Sequence, residues 1–267
     1  MELLDPRLVT AGALGALAVV GLLIGSFLNV VIWRVPRGES VVSPPSACPG
    51  CGHAIRPRDN VPVVSWLLLR GRCRDCGRPI SARYPAVEAA TALLFVLVGL
   101  RIGWSPALPA FLYLAAVCLA LALIDLDVRR LPDAIVLPSA VVVPVLLLVA
   151  SLVLGDIGAM LRALAGGAAL FVLYFGLMML KEGAMGFGDV KLAGVLGVAL
   201  GWLGWGELVV GAFAAFLVGG LFSIGLLLLG RAGRRSRIPF GPWIVLGAAI
   251  GVACGEAVWD WYLGFLL

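Results

Sequence analysis

Residues 10–33 read TAGALGALAVVGLLIGSFLNVVIW, a run of 24 residues without a charged side chain. A helix needs about 20 mainly apolar residues to cross a bilayer, so this run is long enough to do so. It is too long for the apolar core of a secretory signal, and Arg34 and Arg37 follow it as a stop-transfer flank. The sequence therefore predicts a first membrane-spanning helix.

Seven further apolar runs follow along the chain. They lie at residues 84–100, 102–124, 134–155, 163–180, 192–206, 208–230 and 238–255. The run at 84–100 contains Glu88 near one end, and the run at 192–206 is the shortest. Together they predict an all-α polytopic membrane protein with about eight transmembrane helices.

The composition excludes several classes of protein. Of the 267 residues, 62% are hydrophobic and 13% are charged, whereas about 25% are charged in a typical soluble protein. A soluble enzyme, a disordered chain and a nucleic-acid-binding module are all excluded on this ground, despite a net charge of +5. We therefore expect membrane lipid, and no nucleic acid, around this protein.

The basic residues predict the orientation of the chain. Segments 34–83, 129–130, 181–191 and 231–237 contain 17 of the 20 Lys and Arg residues. The positive-inside rule places these segments in the cytosol and both termini outside. With eight spans every second loop is cytosolic, and this is the observed pattern. The predicted location is the bacterial cytoplasmic membrane, crossed many times.

Residues 34–83 form the one predicted soluble piece and contain two Cys-x-x-Cys pairs. The four cysteines are Cys48, Cys51, Cys73 and Cys76, with 21 residues between the pairs. This pattern predicts a closed, structural zinc site with four thiolate ligands. Disulfides are the alternative, but the segment is predicted to be cytosolic, where thiols stay reduced. The predicted organisation is a first helix at 1–33, a zinc-binding domain at 34–83 and a seven-helix membrane core at 84–267.

Two carboxylates at the edges of apolar runs are the candidate catalytic residues. Asp125 ends the run at 102–124, and Asp189 precedes the run at 192–206. On the predicted topology both lie at the cytosolic boundary. Two close carboxylates share a proton, so that one can act as general base on a water and the other as general acid. Such a pair hydrolyses a peptide without a metal or a covalent intermediate.

The residues around these aspartates have competing interpretations. Gly186 and Gly188 let a substrate strand or another helix come close, yet Gly-x-Gly-Asp alone is also typical of a helix N-terminus. Lys191 either favours an ionised Asp189 by proximity or marks the cytosolic boundary. Asp127 points about 200° away from Asp125 on a helix, so both cannot face one partner.

The sequence resembles the type IV prepilin leader peptidases, which are membrane aspartyl proteases of the Gly-x-Gly-Asp type. Beyond the two cysteine pairs, the resemblance rests on five motifs. These are GSFLNVVIWRVP at 25–36, ISARYPAVE at 80–88, Asp125 seven residues before Pro132 of Leu-Pro-Asp, GFGDVK at 186–191 and IPFGP at 238–242.

The resemblance implies an activity, a substrate and a second cofactor. Such enzymes cut the leader of type IV prepilins or type II secretion pseudopilins after a Gly at the cytosolic membrane face. Many then methylate the new N-terminus with S-adenosylmethionine. The resemblance does not place the methyl donor on particular residues. Glu88 and the cytosolic loop are candidates, and Glu88 as an ion partner of a loop arginine is the alternative.

Two other functions stay open at the level of sequence. Intramembrane carboxylates also build the proton relays of carriers, although here they lie at one membrane face rather than at the midplane. A membrane scaffold, with aspartates that only cap helices, would keep its function without Asp125 and Asp189.

Overall fold

The computed structural model describes residues 6–180, 185–230 and 239–266. Outside the loop between residues 38 and 82 these segments are mainly helical, and the only strand-like pairings among the described residues are two isolated β-bridges. The helices are α1 (Pro6–Arg34), α2 (Val64–Leu68), α3 (Arg83–Ile102), α4 (Leu108–Val128), α5 (Asp133–Leu154), α6 (Ile157–Leu180), α7 (Phe187–Leu203), α8 (Trp205–Leu228) and α9 (Gly241–Leu266). The predicted all-α membrane fold is confirmed.

The predicted spans each correspond to one long helix of the described chain. Seven of these helices are long and apolar enough to cross a membrane: α1, α3, α4, α5, α6, α8 and α9. The remaining helix, α7, has 17 residues, at the lower limit for a spanning helix. It corresponds to the short predicted run at 192–206, and most of its side chains are buried by neighbouring helices.

The first compact unit ends at Trp104 and contains α1, α3 and the cysteine-containing loop. Helices α1 and α3 pack closely because glycines face the partner backbone. A Cβ at Gly21 would lie 2.6 Å from Cα of Ala92, and one at Gly25 would lie 2.6 Å from Cα of Glu88. Near the loop, Asn29 Nδ2 donates to the carbonyl of Tyr84 at 3.1 Å. Small residues four apart are a common device for close helix packing in membranes.

The second compact unit begins at Ser105 and contains α4 to α9. Helices α6 and α7 approach through Gly166 and Gly197, where a Cβ on either would lie 2.6–2.7 Å from the other's carbonyl oxygen. Helices α8 and α9 approach in the same way through Gly211 and Gly247. Helix α7 also contacts α5, α8 and α9, so it is enclosed by other helices, which explains why a short helix is tolerated there.

The observed helix ends differ from the apolar runs in a way that affects the candidate site. Helix α4 continues through Asp125 to Val128, and Arg129 closes it in the left-handed region at φ +54. Helix α7 begins at Phe187, five residues before the predicted run, so Asp189 lies in its first turn. Helix α9 continues past Glu256 to Leu266. Charged residues interrupt an apolar run without interrupting the backbone hydrogen bonds of a helix.

Three predictions fall partly on residues outside the described chain. They concern the basic segment 231–237, Lys181 of the segment 181–191, and Ile238 of the motif at 238–242. The division at residues 33 and 83 also stays a prediction, since the compact units divide the chain after Trp104.

Candidate active site and metal centre

Asp125 is buried one turn before the end of α4. Its Oδ2 accepts a hydrogen bond from the backbone N–H of Gly241, the first residue of α9, at 3.0 Å. A Cβ on Gly241 would lie 2.8 Å from the same oxygen, so a larger residue would displace the carboxylate. Asp127, two residues on, is exposed, which confirms that the two aspartates face different directions.

Asp189 is buried in the first turn of α7. Its Oδ2 accepts the backbone N–H of Gly186 at 3.0 Å, and its own N–H donates to the Gly186 carbonyl at 3.0 Å. Asp189 therefore also helps to cap α7, as the helix-terminus interpretation predicted. Asp125 and Asp189 each accept an N–H from the beginning of a helix, an interaction that favours negative charge and opposes the effect of their burial.

Leu131 connects the surroundings of the two carboxylates. A Cβ on Gly188 would lie 2.9 Å from Leu131 Cβ, and a Cβ on Gly241 would lie 3.3 Å from Leu131 Cδ2. Gly188 and Gly241, the glycines next to the two aspartates, thus both contact the side chain of Leu131. The two carboxylates are close enough for the charge of Asp125 to act on Asp189. The structure brings the predicted pair together although 64 residues separate them.

Three aromatic rings lie beside this pair. The ring centroids of Tyr174, Phe216 and Phe240 are 5.2–6.3 Å apart. Tyr174 is also close enough to Asp189 for the charge of that carboxylate to act on the tyrosine hydroxyl group. Phe240 directly precedes Gly241, so the cluster supports the backbone that donates to Asp125. Sequence reasoning missed Tyr174 and Phe216, because single aromatic residues within apolar runs carry no signal of their own.

Lys191 does not pair with Asp189. Its Nζ forms an ion pair with Asp133 Oδ1 at 2.7 Å and lies 4.7 Å from the ring centroid of Phe187. Asp133 is the first residue of α5, so this contact ties the beginnings of α5 and α7 together. The residue two positions past Asp189 lies on another side of α7, and for that reason it reaches a different carboxylate.

The four predicted metal ligands form a compact cluster. The sulfurs of Cys48, Cys51, Cys73 and Cys76 all lie within 4.8 Å of one another, and Cys48 Sγ is 3.8 Å from Cys76 Sγ. Four sulfurs placed tetrahedrally about 2.3 Å from a zinc ion are about 3.8 Å apart. The cluster therefore fits a metal ion with four thiolate ligands, and it is the one such group of potential metal ligands among the described residues.

The two cysteine pairs have matching backbone turns. In the first, Gly52 N–H donates to Cys48 O at 2.8 Å, and in the second Gly77 N–H donates to Cys73 O at 2.9 Å. Both glycines have a positive φ, +75 and +70, which other residues rarely adopt. The N–H of Gly50 reaches Cys48 Sγ at 3.4 Å. It is the strongest of several hydrogen bonds, the next from the backbone of Cys51, that lower the pKa of that thiol to about 7.

Two ion pairs attach the second turn to the neighbouring 3₁₀ helix, Pro57–Asp59, and to Arg56 directly before it. Arg74 contacts Asp59 at 2.7 Å, and Asp75 contacts Arg56 at 2.9 Å. The hydrogen-bonded Arg74 guanidinium lowers the pKa of the Asp59 carboxyl. The cysteine cluster is thus held to the rest of the loop by charge as well as by the backbone.

Glu88 is buried, with 8% of its surface exposed, and its carboxylate is engaged. Oε2 accepts the backbone N–H of Val63 at 2.7 Å, and the side chain of Ser26 also hydrogen-bonds to Glu88. Val63 has φ +60, an uncommon conformation for a β-branched residue. These contacts favour a structural role, in which Glu88 holds the loop to α1 and α3. A role of Glu88 in binding the methyl donor stays a prediction.

Comparisons with known proteins agree with these observations. A model of the type IV leader peptidase family matches residues 112–224, and a model of the bacterial peptidase A24 N-terminal domain matches residues 19–102. The chain belongs to the type IV leader peptidase family. The family predicted from the sequence motifs is therefore confirmed. The boundary between the two matched segments, at residues 102–112 of the sequence, contains the point after Trp104 where the two compact units divide.

The relatives carry one name, prepilin leader peptidase/N-methyltransferase. The relative from Aeromonas hydrophila is 42% identical, with 91% of each chain aligned. The one from Pseudomonas aeruginosa is 37% identical, with 92% of each chain aligned. No solved structure gives a significant match. Together with the seven apolar helices, these relatives identify a multi-pass protein of the bacterial inner membrane.

Proposed function

We propose that this protein is a membrane aspartyl endopeptidase that removes the leader peptide of type IV prepilins or pseudopilins after a Gly residue. The observation that carries the proposal is the arrangement of Asp125 and Asp189. Asp125 is buried in the last turn of α4 and Asp189 in the first turn of α7. Each accepts one backbone N–H from the beginning of a helix, and both adjoin glycines that contact Leu131.

The chemistry follows from two carboxyl groups that share one proton. The ionised carboxylate takes a proton from a water molecule, whose oxygen forms a bond to the scissile carbonyl carbon. The protonated carboxyl donates its proton to the carbonyl oxygen. When the C–N bond of the resulting tetrahedral intermediate breaks, the leaving amine takes up a proton, and the pair returns to its starting protonation state.

The position of the pair suits a substrate that is itself an apolar helix. Such a helix reaches the site by diffusion in the bilayer, with its cleavage point at the level where α4 ends and α7 begins. Segments 34–83, 129–130, 181–191 and 231–237 carry most of the Lys and Arg residues, and the positive-inside rule assigns such segments to the cytosol. We therefore place the cleavage level at the cytosolic face and both termini outside.

The name of the relatives supports a second activity, N-methylation of the new N-terminus with S-adenosylmethionine. The described residues contain no strand that could form a Rossmann-type nucleotide site. The carboxylate of Glu88 is already hydrogen-bonded to Val63, so the observed contacts do not build a donor site around it. We propose the methyl transfer for the protein as a whole and assign no residue role to it.

We propose zinc as the ion of the four-cysteine cluster. Thiolates select zinc over hard cations such as magnesium, and the spacing of the sulfurs fits a tetrahedron. With all four positions filled by cysteine no site is left for water, so the ion has a structural role. It would hold the loop in a shape that its small core alone could not maintain.

Cleavage by matched variants tests the catalytic pair. A prepilin with a Gly-Phe junction is mixed with wild type, Asp125→Asn and Asp189→Asn in liposomes, and the product mass is measured. Each variant should lose at least about 10³-fold in rate, because a lone carboxyl cannot serve as both acid and base.

Asp127→Asn is the matched control, since Asp127 lies on the same helix but is exposed. It should cleave at close to the wild-type rate. Cleavage that persists in either Asp125→Asn or Asp189→Asn, in protein that remains folded, would exclude the proposed mechanism. A mass gain of one methylene, seen only with S-adenosylmethionine, would establish the methyl transfer independently.

A further inference from the structure

An exposed apolar ridge lies in the loop between α1 and α3, outside both the cysteine cluster and the catalytic pair. It consists of Val61, Val64, Leu67 and Leu68, which are 47%, 49%, 60% and 79% exposed. In and beside the short helix α2 these residues point outward, whereas Pro62 and Ser65 between them are buried. Exposed leucines on one face of a loop helix are unusual in a domain that is surrounded only by water.

The ridge is held in place by hydrogen bonds on its inner side. Ser65 Oγ accepts the N–H of Val61 at 3.0 Å and donates to the carbonyl of Arg58 at 3.1 Å. Trp66 Nε1 donates to the carbonyl of Ile80, three residues before α3, at 3.0 Å. The exposure of the leucines is therefore a property of a fixed segment.

The contact between Val63 and Glu88 sets the depth of this segment. Glu88 lies five residues inside α3, which corresponds to about 7.5 Å along the helix axis from Arg83. Side chains of a helix lean toward its N-terminus, so the carboxylate lies somewhat nearer the loop than its Cα. Because Val63 donates to that carboxylate at 2.7 Å, the ridge lies close to the level at which α3 enters the membrane.

The charges beside the ridge favour anionic headgroups. Arg70 and Arg72 follow it directly, are exposed, and form no ion pair in the part of the chain that the structure describes. The nearby Asp59 and Asp75 are each paired with another arginine, Arg74 and Arg56. Arginines near the surface of an anionic bilayer strengthen its attraction for the segment that carries them.

We propose that residues 61–72 form a membrane-docking surface, in which the apolar ridge inserts at the boundary of headgroups and acyl chains and Arg70 and Arg72 bind anionic lipid. The depth given by Glu88 favours a bilayer over a water-borne partner, and the ridge lies close to the start of α3, which spans the bilayer. An amphipathic segment at such a boundary buries its apolar side about 5–10 Å deep. Docking would place the ridge, and not the cysteine cluster, at the depth of the acyl chains.

Lipid quenching of a site-specific probe tests this proposal without any activity assay. A fluorescent amino acid replaces Leu68 in the full-length protein, reconstituted at one copy per vesicle, with a doxyl quencher near the top of the acyl chains. Position 84, at the start of α3, provides the shallow membrane reference. Ile55, which follows the first cysteine turn and whose N–H donates to the carbonyl of Ser46, provides the reference in the same domain. Quenching at position 68 should exceed that at position 55 at least twofold and approach that at position 84.

Equal quenching at positions 68 and 55 would overturn the proposal and leave a protein partner as the occupant of the ridge. Phosphatidylglycerol should raise the quenching at position 68. The increase should disappear in the variant Arg70→Gln, Arg72→Gln, and an increase that survives there would exclude the two arginines as the lipid ligands.

Discussion

At the scale of single residues, the candidate site depends on glycines as much as on carboxylates. Asp125 and Gly241 lie 116 positions apart and meet at 3.0 Å because Gly241 has no side chain to separate them. The space is too small for a methyl group. The geometry of the carboxylate is thus determined by an N–H from a remote helix, which holds one oxygen and leaves the other for water or substrate.

Gly241→Ala should reduce cleavage while leaving the fold intact. The added Cβ would lie 2.8 Å from Asp125 Oδ2, and the carboxylate is the group that can move. Because a misplacement of about 1 Å can cost 10²-fold in rate, we expect kcat to fall at least about tenfold with little change in KM. Gly220→Ala is the matched control, since nothing lies within 4 Å of its Cβ position. Equal rates for the two variants would show that the Gly241 contact does not position Asp125.

The identities of the site residues could be predicted from the sequence better than their contacts. The two aspartates stand out because charged groups are costly next to long apolar runs. The ion pair of Lys191 with Asp133 could not be predicted, because it depends on how α7 is rotated against α5. The same holds for Tyr174, whose proximity to Asp189 arises from the packing of α6 on α7.

At the scale of elements, the apolar runs predicted which helices exist but misplaced several ends. Helix α7 starts five residues early because its first turn is built around Asp189 and Gly186 rather than around apolar side chains. The clustering of the four cysteines was predicted correctly, and the motif also contains the glycines whose positive φ permits the two turns. A motif that specifies its own backbone geometry is thus more predictable than the end of an apolar run.

Cys48→Ser should release the metal ion and loosen the loop. Serine keeps the size of the side chain but supplies no thiolate, so the apparent affinity for zinc should fall at least about tenfold, as measured by metal content after dialysis. Cys254→Ser is the matched control, because Cys254 lies in α9 and its side chain only donates to the carbonyl of Ile250. If Cys48→Ser retained one ion per chain, the four-thiolate assignment would be wrong.

At the scale of the whole molecule, the number of spans depends on whether the short helix α7 crosses the membrane. Its partner α6 contacts it along its length: Arg162 near the start of α6 donates to Gly201 O at 2.8 Å, and Phe171 lies 6.4 Å from Phe187. The two helices therefore run antiparallel through the same depth. The side chain of Arg162 also binds Trp202 O, which satisfies carbonyls that would otherwise lack partners at the end of α7.

The contacts of Leu131 lead to the same count. Leu131 adjoins Gly188 at the beginning of α7 and Gly241 at the beginning of α9, so both helices begin on one face of the membrane. Helix α8 crosses once between them. Unless α7 also crosses, α9 would begin on the opposite face from α7. We therefore infer that α7 spans the membrane despite its 17 residues, which together with the seven longer apolar helices gives eight spans in the part of the chain that the structure describes.

Labelling with a membrane-impermeant maleimide can test this topology in whole cells of a Cys254→Ser background. Trp205→Cys lies just after α7 and is 51% exposed, and Leu154→Cys at the end of α5 is exposed to the same extent. Both should react from outside, whereas Arg130→Cys, beside Leu131, should react only after the membrane is permeabilised. If Trp205→Cys behaved like Arg130→Cys, α7 would not cross the membrane. Because α8 is long and apolar enough to cross, the beginnings of α7 and α9 would then lie on opposite faces, and their shared contact with Leu131 would be excluded.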